Sequence, residues 1–200
     1  MGDELTPQRV TLLDERLLAD GRFRLTLTTV AVEESDGETR RLRHEIYHQR
    51  GAAAVLLYDP SRATVLLVRQ FRLGAYLEGY RGAMTEVCAG MLDGDAPEAG
   101  IIREAMEETG VAVVAPRHVF EAFASPGATT EKIACFVARY DQGDRIGAGG
   151  GVDADERIAL VEPTLAEALA MIGSGEICDA KTIALLYYAA AHGLMDPRSA

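Results

Sequence analysis

The chain has 200 residues, 48% apolar and 26% charged, enough for one medium domain or for a main domain with a small extra one. Its 31 acidic residues outnumber 20 basic residues, and the net charge of −11 argues against a nucleic acid or an anionic membrane as partner. Cys88, Cys135 and Cys178 form no closely spaced pair, and the N-terminal residues contain no apolar signal segment. Reduced thiols in a cytoplasmic protein are therefore expected.

The first 50 residues predict three antiparallel strands. Residues 22–34 alternate apolar and polar side chains, and Asp20-Gly21 and Asp36-Gly37 are hairpin signals. A sheet of this size has little core of its own, so it should pack on something else. We therefore expect an N-terminal three-stranded sheet at 1–50 and a main domain at 51–200.

The main domain begins with two strongly apolar strands, near residues 51–60 and 63–72. The periodicity then becomes helical at 96–109, where Asp95 is the expected N-cap and Gly110 the expected end.

Strands are predicted again near residues 118–125, 132–140 and 157–162. The glycine-rich residues 147–151 are typical of a mobile loop. Two helices close the chain, one opened by the capping box of Thr164 and Glu167 and one capped by Asp179. Sheet, helix, sheet and helix in this order indicate an α+β sandwich.

Three glutamates crowd one face of the first predicted helix. Glu104, Glu107 and Glu108 share one arc, although like charges at this spacing cost roughly 0.2–0.5 kcal/mol per pair. A charge run usually means a solvated face. Here Arg103 directly precedes the cluster, a glycine-containing turn leads into it, and more acids follow at 153–156. Clustered carboxylates of this kind suit Mg²⁺ or Mn²⁺.

Residues 90–111, "GMLDGDAPEAGIIREAMEETGV", resemble the Nudix box, G-x5-E-x7-R-E-U-x-E-E-x-G-U with U aliphatic. Seven positions match: Gly90, Arg103, Glu104, Glu107, Glu108, Gly110 and Val111. The interval between Gly90 and Arg103 is one residue short, and the middle glutamate of the box is absent.

The resemblance extends over roughly residues 9–196, through "LVRQFR", "EVCAGMLD", "SPGATTEK" and "AGGGVDADE", and is strongest to the GDP-mannose pyrophosphatase branch. It implies an α+β fold, a Nudix-type α/β/α sandwich with a mixed sheet, plus the small N-terminal antiparallel sheet. It also implies Mg²⁺-dependent hydrolysis of a nucleoside-diphosphate sugar, with Mn²⁺ as a possible substitute. An ADP-ribose pyrophosphatase and a non-catalytic nucleotide-sugar sensor are the alternatives.

The resemblance also implies a metal site made by the Ala89 carbonyl, Glu104, Glu108 and a loop acid, with Glu107 beside them. Alignment on the strand that follows the loop selects Glu156 as that acid, whereas alignment without a gap selects Asp155. We prefer Glu156 as the ligand and expect Asp155 to help the attacking water.

For the substrate, the arginine fork of Arg72 suits a diphosphate, and Arg103 can orient a carboxylate or contact an oxyanion. Four further residues match substrate-contacting positions of the family, namely Arg43, Glu45, Glu131 and Lys181. Lys181 is equally compatible with an ordinary surface lysine. Arg22 stands where the GDP-mannose enzymes have a tyrosine. The family resemblance further implies a homodimer in which Arg43 and Glu45 act in trans.

Overall fold

A computed structural model describes residues 7–151 and 157–196. The chain divides into two compact units, the first formed by Met1–Arg50 with Phe123–Glu131, and the second by Gly51–Ala122 with Lys132–Ala200. Within the described residues, no helix combines the length and the hydropathy that crossing a membrane requires.

The first unit is built on the predicted three-stranded antiparallel sheet, which is confirmed. Strands β1 (Arg9–Asp20), β2 (Arg24–Glu33) and β3 (Thr39–Tyr47) lie in the order β1-β2-β3. Every residue of β1 is exposed, and β2 alone contributes fully buried side chains, at Thr26, Thr29 and Val32. The sheet therefore has very little apolar core of its own.

The sheet of the second unit is mixed, as predicted. Its described strands are β4 (Ala52–Asp59), β5 (Thr64–Gln70), β6 (Met84–Glu86), β7 (Cys88–Met91), β8 (Arg117–Phe123), β9 (Lys132–Arg139) and β10 (Ala159–Val161). The main order is β10-β5-β4-β9-β8, and β6 and β7 extend the edges of β5 and β4. Strands β4 and β9 run parallel, whereas β5 and β7 run antiparallel to β4.

Helices cover both faces of this sheet. They are α1 (Leu73–Leu77), α2 (Pro97–Thr109), α3 (Leu165–Ser174) and α4 (Ala180–Ala191). Because side chains alternate along a strand, Leu56 of β4 packs with Leu185 of α4, while Leu57 belongs to the opposite core with Ile101 of α2. The predicted three-layer α/β/α sandwich is confirmed.

Helix α2 ends where expected but begins one residue later than predicted. Gly110 has φ +72°, the left-handed conformation that ends many helices. The N-cap is Ala96, with no side-chain cap, and not Asp95. Pro97 forces its predecessor into an extended conformation, so the cap falls on Ala96 and Asp95 lies one residue too far out.

The caps of the last two helices are confirmed. The Thr164 hydroxyl accepts from the Glu167 amide, and the Glu167 carboxylate accepts in return from the Thr164 amide. Asp179 accepts from the Thr182 amide at 3.0 Å and so caps α4.

A buried ion-pair network closes the turn between β4 and β5. Asp59, only 3% exposed, accepts from the Ser61 amide and from Arg62 Nε, and Arg62 also donates to Glu162 at 2.9 Å. Burial alone would raise the pKa of Asp59, but the hydrogen bonds from Arg62 and Ser61 outweigh it and lower the pKa to about 2.

Candidate active site

Helix α2 packs against the short strand β7, and the side chains of Glu104 and Glu108 lie against this strand. Glu108 is only 4% exposed, and the side chains of Glu104 and Glu107 are 17% and 27% exposed. A solvated acidic face would leave all three carboxylates in water. The burial of Glu108 excludes that interpretation for this residue, since a buried carboxylate is costly without a compensating partner.

The backbone of β7 lies directly against two of these carboxylates. The Ala89 amide donates to Glu108 Oε2 at 3.3 Å. A Cβ added at Gly90 would lie 2.1 Å from Cδ of Glu104, so a larger residue here would displace the Glu104 carboxylate. The strand therefore brings Ala89, Glu104 and Glu108 together, three of the four residues predicted to bind metal.

Arg103 holds the two less buried glutamates. Its guanidinium contacts Glu104 Oε1 at 2.8 Å and Glu107 Oε2 at 2.9 Å. The carboxylates, Glu104 foremost, raise the pKa of Arg103. Arg103 thus contacts two of the three glutamates, and its two predicted roles, orienting a carboxylate and contacting an oxyanion, stay predictions.

Burial raises the pKa of Glu108 to about 7, and the neighbouring Glu104 adds to the rise. Hydrogen bonds from the Cys88 thiol and the Ala89 amide act against this rise, as does the positive charge of Arg72. Burial, with Glu108 next in importance, raises the pKa of Cys88, which therefore remains a thiol and can donate to the carboxylate. Glu108 is thus held by the protein in an environment that disfavours its negative charge.

Residues 147–151, expected from their composition to form a mobile loop, are bonded to the C-terminal end of α2. The amides of Gly150 and Gly151 donate to the carbonyls of Glu108 and Glu107 at 2.9 and 3.1 Å. A Cβ at Gly149, which has φ +64°, would lie 2.6 Å from the Glu108 carbonyl oxygen. Glycine is favoured at this position by its positive φ and by the close approach to α2. The segment supplies amide donors to carbonyls that a helix end leaves unpaired.

A second charged cluster surrounds Glu86, a residue that sequence reasoning missed. Glu86 is 3% exposed and accepts from Arg72 Nε at 2.7 Å and from Lys181 Nζ at 2.8 Å. Lys181 also contacts Asp179 at 2.9 Å, and its side chain is 14% exposed. Lys181 is therefore not an ordinary surface lysine. Burial opposes its charge, but Glu86 and Asp179 outweigh burial and raise its pKa.

Arg43 and Glu45 lie on β3 in the first unit, opposite Thr29 and Leu27 of β2. Arg43 lines an open cavity of about 590 Å³ in that unit, together with Asp14, Leu27, Thr29 and two further arginines, Arg16 and Arg41. The cavity is strongly basic for a chain with net charge −11.

Two other predicted positions also belong to the first unit. The Arg22 guanidinium lies over the ring of Phe23 at 5.9 Å. The half-buried Glu131 closes the segment Phe123–Glu131, which is tied to β3 by the Tyr47 amide donating to the Ala128 carbonyl at 2.8 Å.

The predicted loop acids Asp155 and Glu156 lie outside the described residues. Glu86 and Cys88 were missed because each acts through a residue distant in sequence, Lys181 and Glu108 respectively. The clue available in the sequence was position, since both residues lie within three residues of Ala89, which is predicted to bind metal.

The donor set at α2 and β7 fits a hard divalent cation. Carboxylate and carbonyl oxygens are the ligands that Mg²⁺ and Mn²⁺ prefer, and a cation would compensate the charge of Glu108, buried beside Glu104. Within residues 7–151 and 157–196, no group of three His, Cys, Asp or Glu side chains is assembled for metal binding. The predicted fourth ligand, Glu156, lies outside these ranges.

Comparison with known proteins places this geometry in a family context. A family model described as the NUDIX domain matches residues 48–177. The GDP-mannose pyrophosphatases of Escherichia coli O139:H28 and of Shigella boydii serotype 4 are each 43% identical over 190 residues, which is 94% of this chain and 99% of theirs. A crystal structure of an ADP compounds hydrolase superposes with a TM-score of 0.71 at 19% identity, covering 94% of this chain and 98% of the other, and so supports the fold.

Proposed function

Because the chain belongs to the Nudix family and is a hydrolase, we propose that it cleaves the diphosphate bond of a nucleoside-diphosphate sugar. GDP-mannose is the substrate that we propose, because the 43% identical relatives are GDP-mannose pyrophosphatases. Water would attack one phosphorus atom, the bridging P–O bond would break, and GMP and mannose 1-phosphate would leave. No oxidant, reductant or second substrate is needed for this reaction.

The observation that carries the proposal is the burial of Glu108 beside Glu104 and the Ala89 backbone. We propose Glu104, Glu108, the Ala89 carbonyl and Glu156 as the residues that hold Mg²⁺, with Mn²⁺ as a substitute. A bound divalent cation neutralises phosphate charge and lowers the pKa of a bound water. The choice of Glu156 as a metal ligand rests on the sequence resemblance to the family, because Glu156 lies outside the described residues.

The protein side chains would position the substrate and the water. The Arg72 guanidinium, with a side chain 42% exposed, would bind phosphate oxygens through its terminal nitrogens. Arg103 would keep Glu104 and Glu107 oriented and reach an oxyanion in the substrate complex. Asp155 would accept a proton from the attacking water.

Four residues are proposed to contact the remainder of the nucleotide sugar: Arg43, Glu45, Glu131 and Lys181. The ammonium group of Lys181 has three donors, and Glu86 and Asp179 engage two of them, so one remains for the substrate.

A substrate panel with product identification tests the reaction. GDP-mannose and ADP-ribose are incubated with wild type and Glu108→Gln at millimolar Mg²⁺, and the products are identified by mass spectrometry. Wild type should convert GDP-mannose to GMP and mannose 1-phosphate, and Glu108→Gln should be about 100-fold slower or worse. Glu98→Gln, an exposed glutamate in the first turn of the same helix, is the matched control and should be as active as wild type.

The panel also separates the alternatives. Preferred cleavage of ADP-ribose to AMP and ribose 5-phosphate would identify an ADP-ribose pyrophosphatase. Arg22 favours testing this alternative, because the GDP-mannose enzymes have a tyrosine at that position. Tight binding of either compound without cleavage would identify a sensor and defeat the enzymatic proposal.

We also propose that the protein works as a homodimer joined through the first unit. The edge strand β1 is exposed along its length and carries five exposed large apolar side chains, Val10, Leu12, Leu13, Leu17 and Leu18. An exposed apolar edge strand is rarely left uncovered in a soluble chain. The free cysteines, Cys88 and Cys135 buried and Cys178 exposed, are in keeping with the proposed cytoplasmic location.

Mixing two inactive variants tests the proposed action of Arg43 in trans. Arg43→Ala and Glu108→Gln homodimers are mixed and allowed to exchange subunits. If Arg43 serves the neighbouring active site, the mixed dimer regains one intact site, and activity recovers to about one quarter of the wild-type value. No recovery despite exchange proven by native mass spectrometry, or an active monomer in light scattering, would refute the proposal.

A further inference from the structure

Glu86 links two cationic side chains that come from different parts of the chain, Arg72 and Lys181. Glu86 is 3% exposed. Its Oε2 accepts a hydrogen bond from Arg72 Nε at 2.7 Å, and its Oε1 accepts one from Lys181 Nζ at 2.8 Å. Arg72 precedes α1, whereas Lys181 lies in the first turn of α4. One carboxylate therefore fixes the separation of a guanidinium and an ammonium group that would otherwise repel each other.

The Lys181 side of this bridge is held in place by further hydrogen bonds. Asp179 contacts Lys181 at 2.9 Å and accepts from the Thr182 hydroxyl at 2.6 Å. The Thr182 hydroxyl, in a residue with no exposed surface, accepts in turn from the Val87 amide at 2.9 Å. Since Val87 directly follows Glu86, the start of α4 and the end of β6 are held in one register.

The Arg72 side of the bridge leaves part of the guanidinium open to solvent. Glu86 engages Nε of Arg72, and within the described residues the terminal nitrogens of Arg72 have no partner. The Arg72 side chain is 42% exposed, so a ligand can reach these nitrogens, and its positive charge acts on Glu108. An arginine held by Nε presents its two terminal nitrogens as a fork, the geometry that matches phosphate oxygens.

We propose that Glu86 is a positioning residue that aims Arg72 at the diphosphate and sets its distance from Lys181. This inference rests on the proposed function, because a diphosphate is the ligand that the fork would meet. A glutamine at this position offers one acceptor oxygen, and its amide NH₂ group would face the second cation. Glu86→Gln therefore keeps the shape of the side chain but releases one of the two cations. We expect this to be Arg72, since its side chain is 42% exposed and can turn to water, whereas Lys181 is 14% exposed and needs the remaining acceptor oxygen.

The first measurement separates positioning from folding. Glu86→Gln should raise the KM for GDP-mannose about 10- to 100-fold, the loss expected for a misaligned charge-assisted hydrogen bond, while kcat falls less. A purely structural role would lower the active fraction, and hence kcat, and leave KM unchanged. Asp59→Asn is the matched control, since it also converts a buried, arginine-paired carboxylate into an amide and should leave KM unchanged.

Two further readouts do not require turnover. Calorimetric titration of GDP-mannose into EDTA-treated protein should show that Glu86→Gln binds roughly 10- to 100-fold more weakly than wild type. In ¹⁵N-arginine spectra, the Arg72 Nε–H signal should be protected from exchange in wild type and lose protection in Glu86→Gln. In an Arg72→Ala background, the Glu86→Gln change should have little further effect on KM, because the residue it positions is gone.

A KM within about twofold of wild type, or a full-size effect of Glu86→Gln in the Arg72→Ala background, overturns the inference. If wild type cleaves no nucleotide sugar, the proposed function fails by itself, and the titration and the Arg72 signal still decide the role of Glu86.

Discussion

Replacing Glu108 by glutamine should inactivate the enzyme and at the same time stabilise the metal-free protein. Burial raises the pKa of Glu108 from 4.5 to about 7, so the folded state resists its ionisation. The stabilising effect of the protonated carboxyl is complete below pH 4.5 and disappears as the pH rises through 7. Glutamine is neutral at every pH and retains an oxygen that can accept from the Ala89 amide.

The size of the effect follows from the pKa difference between 4.5 and about 7. At about 1.4 kcal/mol per pKa unit, this difference corresponds to about 3 kcal/mol at pH 8, and Glu108 is buried enough that solvent does not screen it away. For a chain of this size the gain corresponds to an increase in Tm of roughly 6–12 °C. At pH 4.5 the two proteins should have nearly equal stability.

The assay is urea unfolding in EDTA at pH 4.5, 6 and 8, at one protein concentration because a dimer is expected. Adding Mg²⁺ should stabilise wild type and have little effect on Glu108→Gln, since binding to the folded state alone raises stability. Glu98→Gln, exposed on the same helix, should behave like wild type throughout. A Glu108→Gln variant that is less stable than wild type at pH 8 in EDTA would show that Glu108 is not an uncompensated buried charge.

Three further outcomes are expected. Asp59→Asn should lose about 2 kcal/mol of stability above pH 3.8, because the pKa of Asp59 falls from 3.8 to about 2 on folding. Urea unfolding of wild type at decreasing pH should show this contribution disappearing as the pH falls from 3.8 to about 2. Gly90→Ala should lower kcat at least about tenfold by displacing the Glu104 carboxylate, with a nearly unchanged melting temperature in calorimetry. Gly149→Ala should cost about 1–2 kcal/mol in urea unfolding, because alanine is strained at φ +64° and its Cβ would meet the Glu108 carbonyl.

The parts of the fold that sequence predicts are those set by local chemistry. Period 3.6 and Gly110 defined α2, and the reciprocal bonds of Thr164 and Glu167 are local to one turn. The Asp95 cap was wrong because Pro97 imposes an extended conformation on Ala96, a constraint one residue away from the capping pattern itself.

The parts that sequence does not predict depend on contacts between distant residues. A helical wheel places Glu104, Glu107 and Glu108 on one face, but it cannot show that β7 covers that face and buries Glu108. Composition likewise makes residues 147–151 a loop, whereas their bonds to the end of α2 join positions about 40 residues apart. The bridging role of Glu86 depends on Lys181, which is 95 residues away.

The charges of the second unit explain why an acidic protein would need a cation to act on an acidic substrate. Two cationic side chains near the proposed site are already engaged, Arg103 by two glutamates and Lys181 by Glu86 and Asp179. With Arg72 included, three cationic side chains face five carboxylates: Glu86, Glu104, Glu107, Glu108 and Asp179. A diphosphate approaching this surface meets a net negative charge, so without a cation the arginine fork can orient it but holds it only weakly. A divalent cation bound by Glu104 and Glu108 would reverse that balance, and Glu108, whose negative charge opposes folding, would then help to bind the substrate.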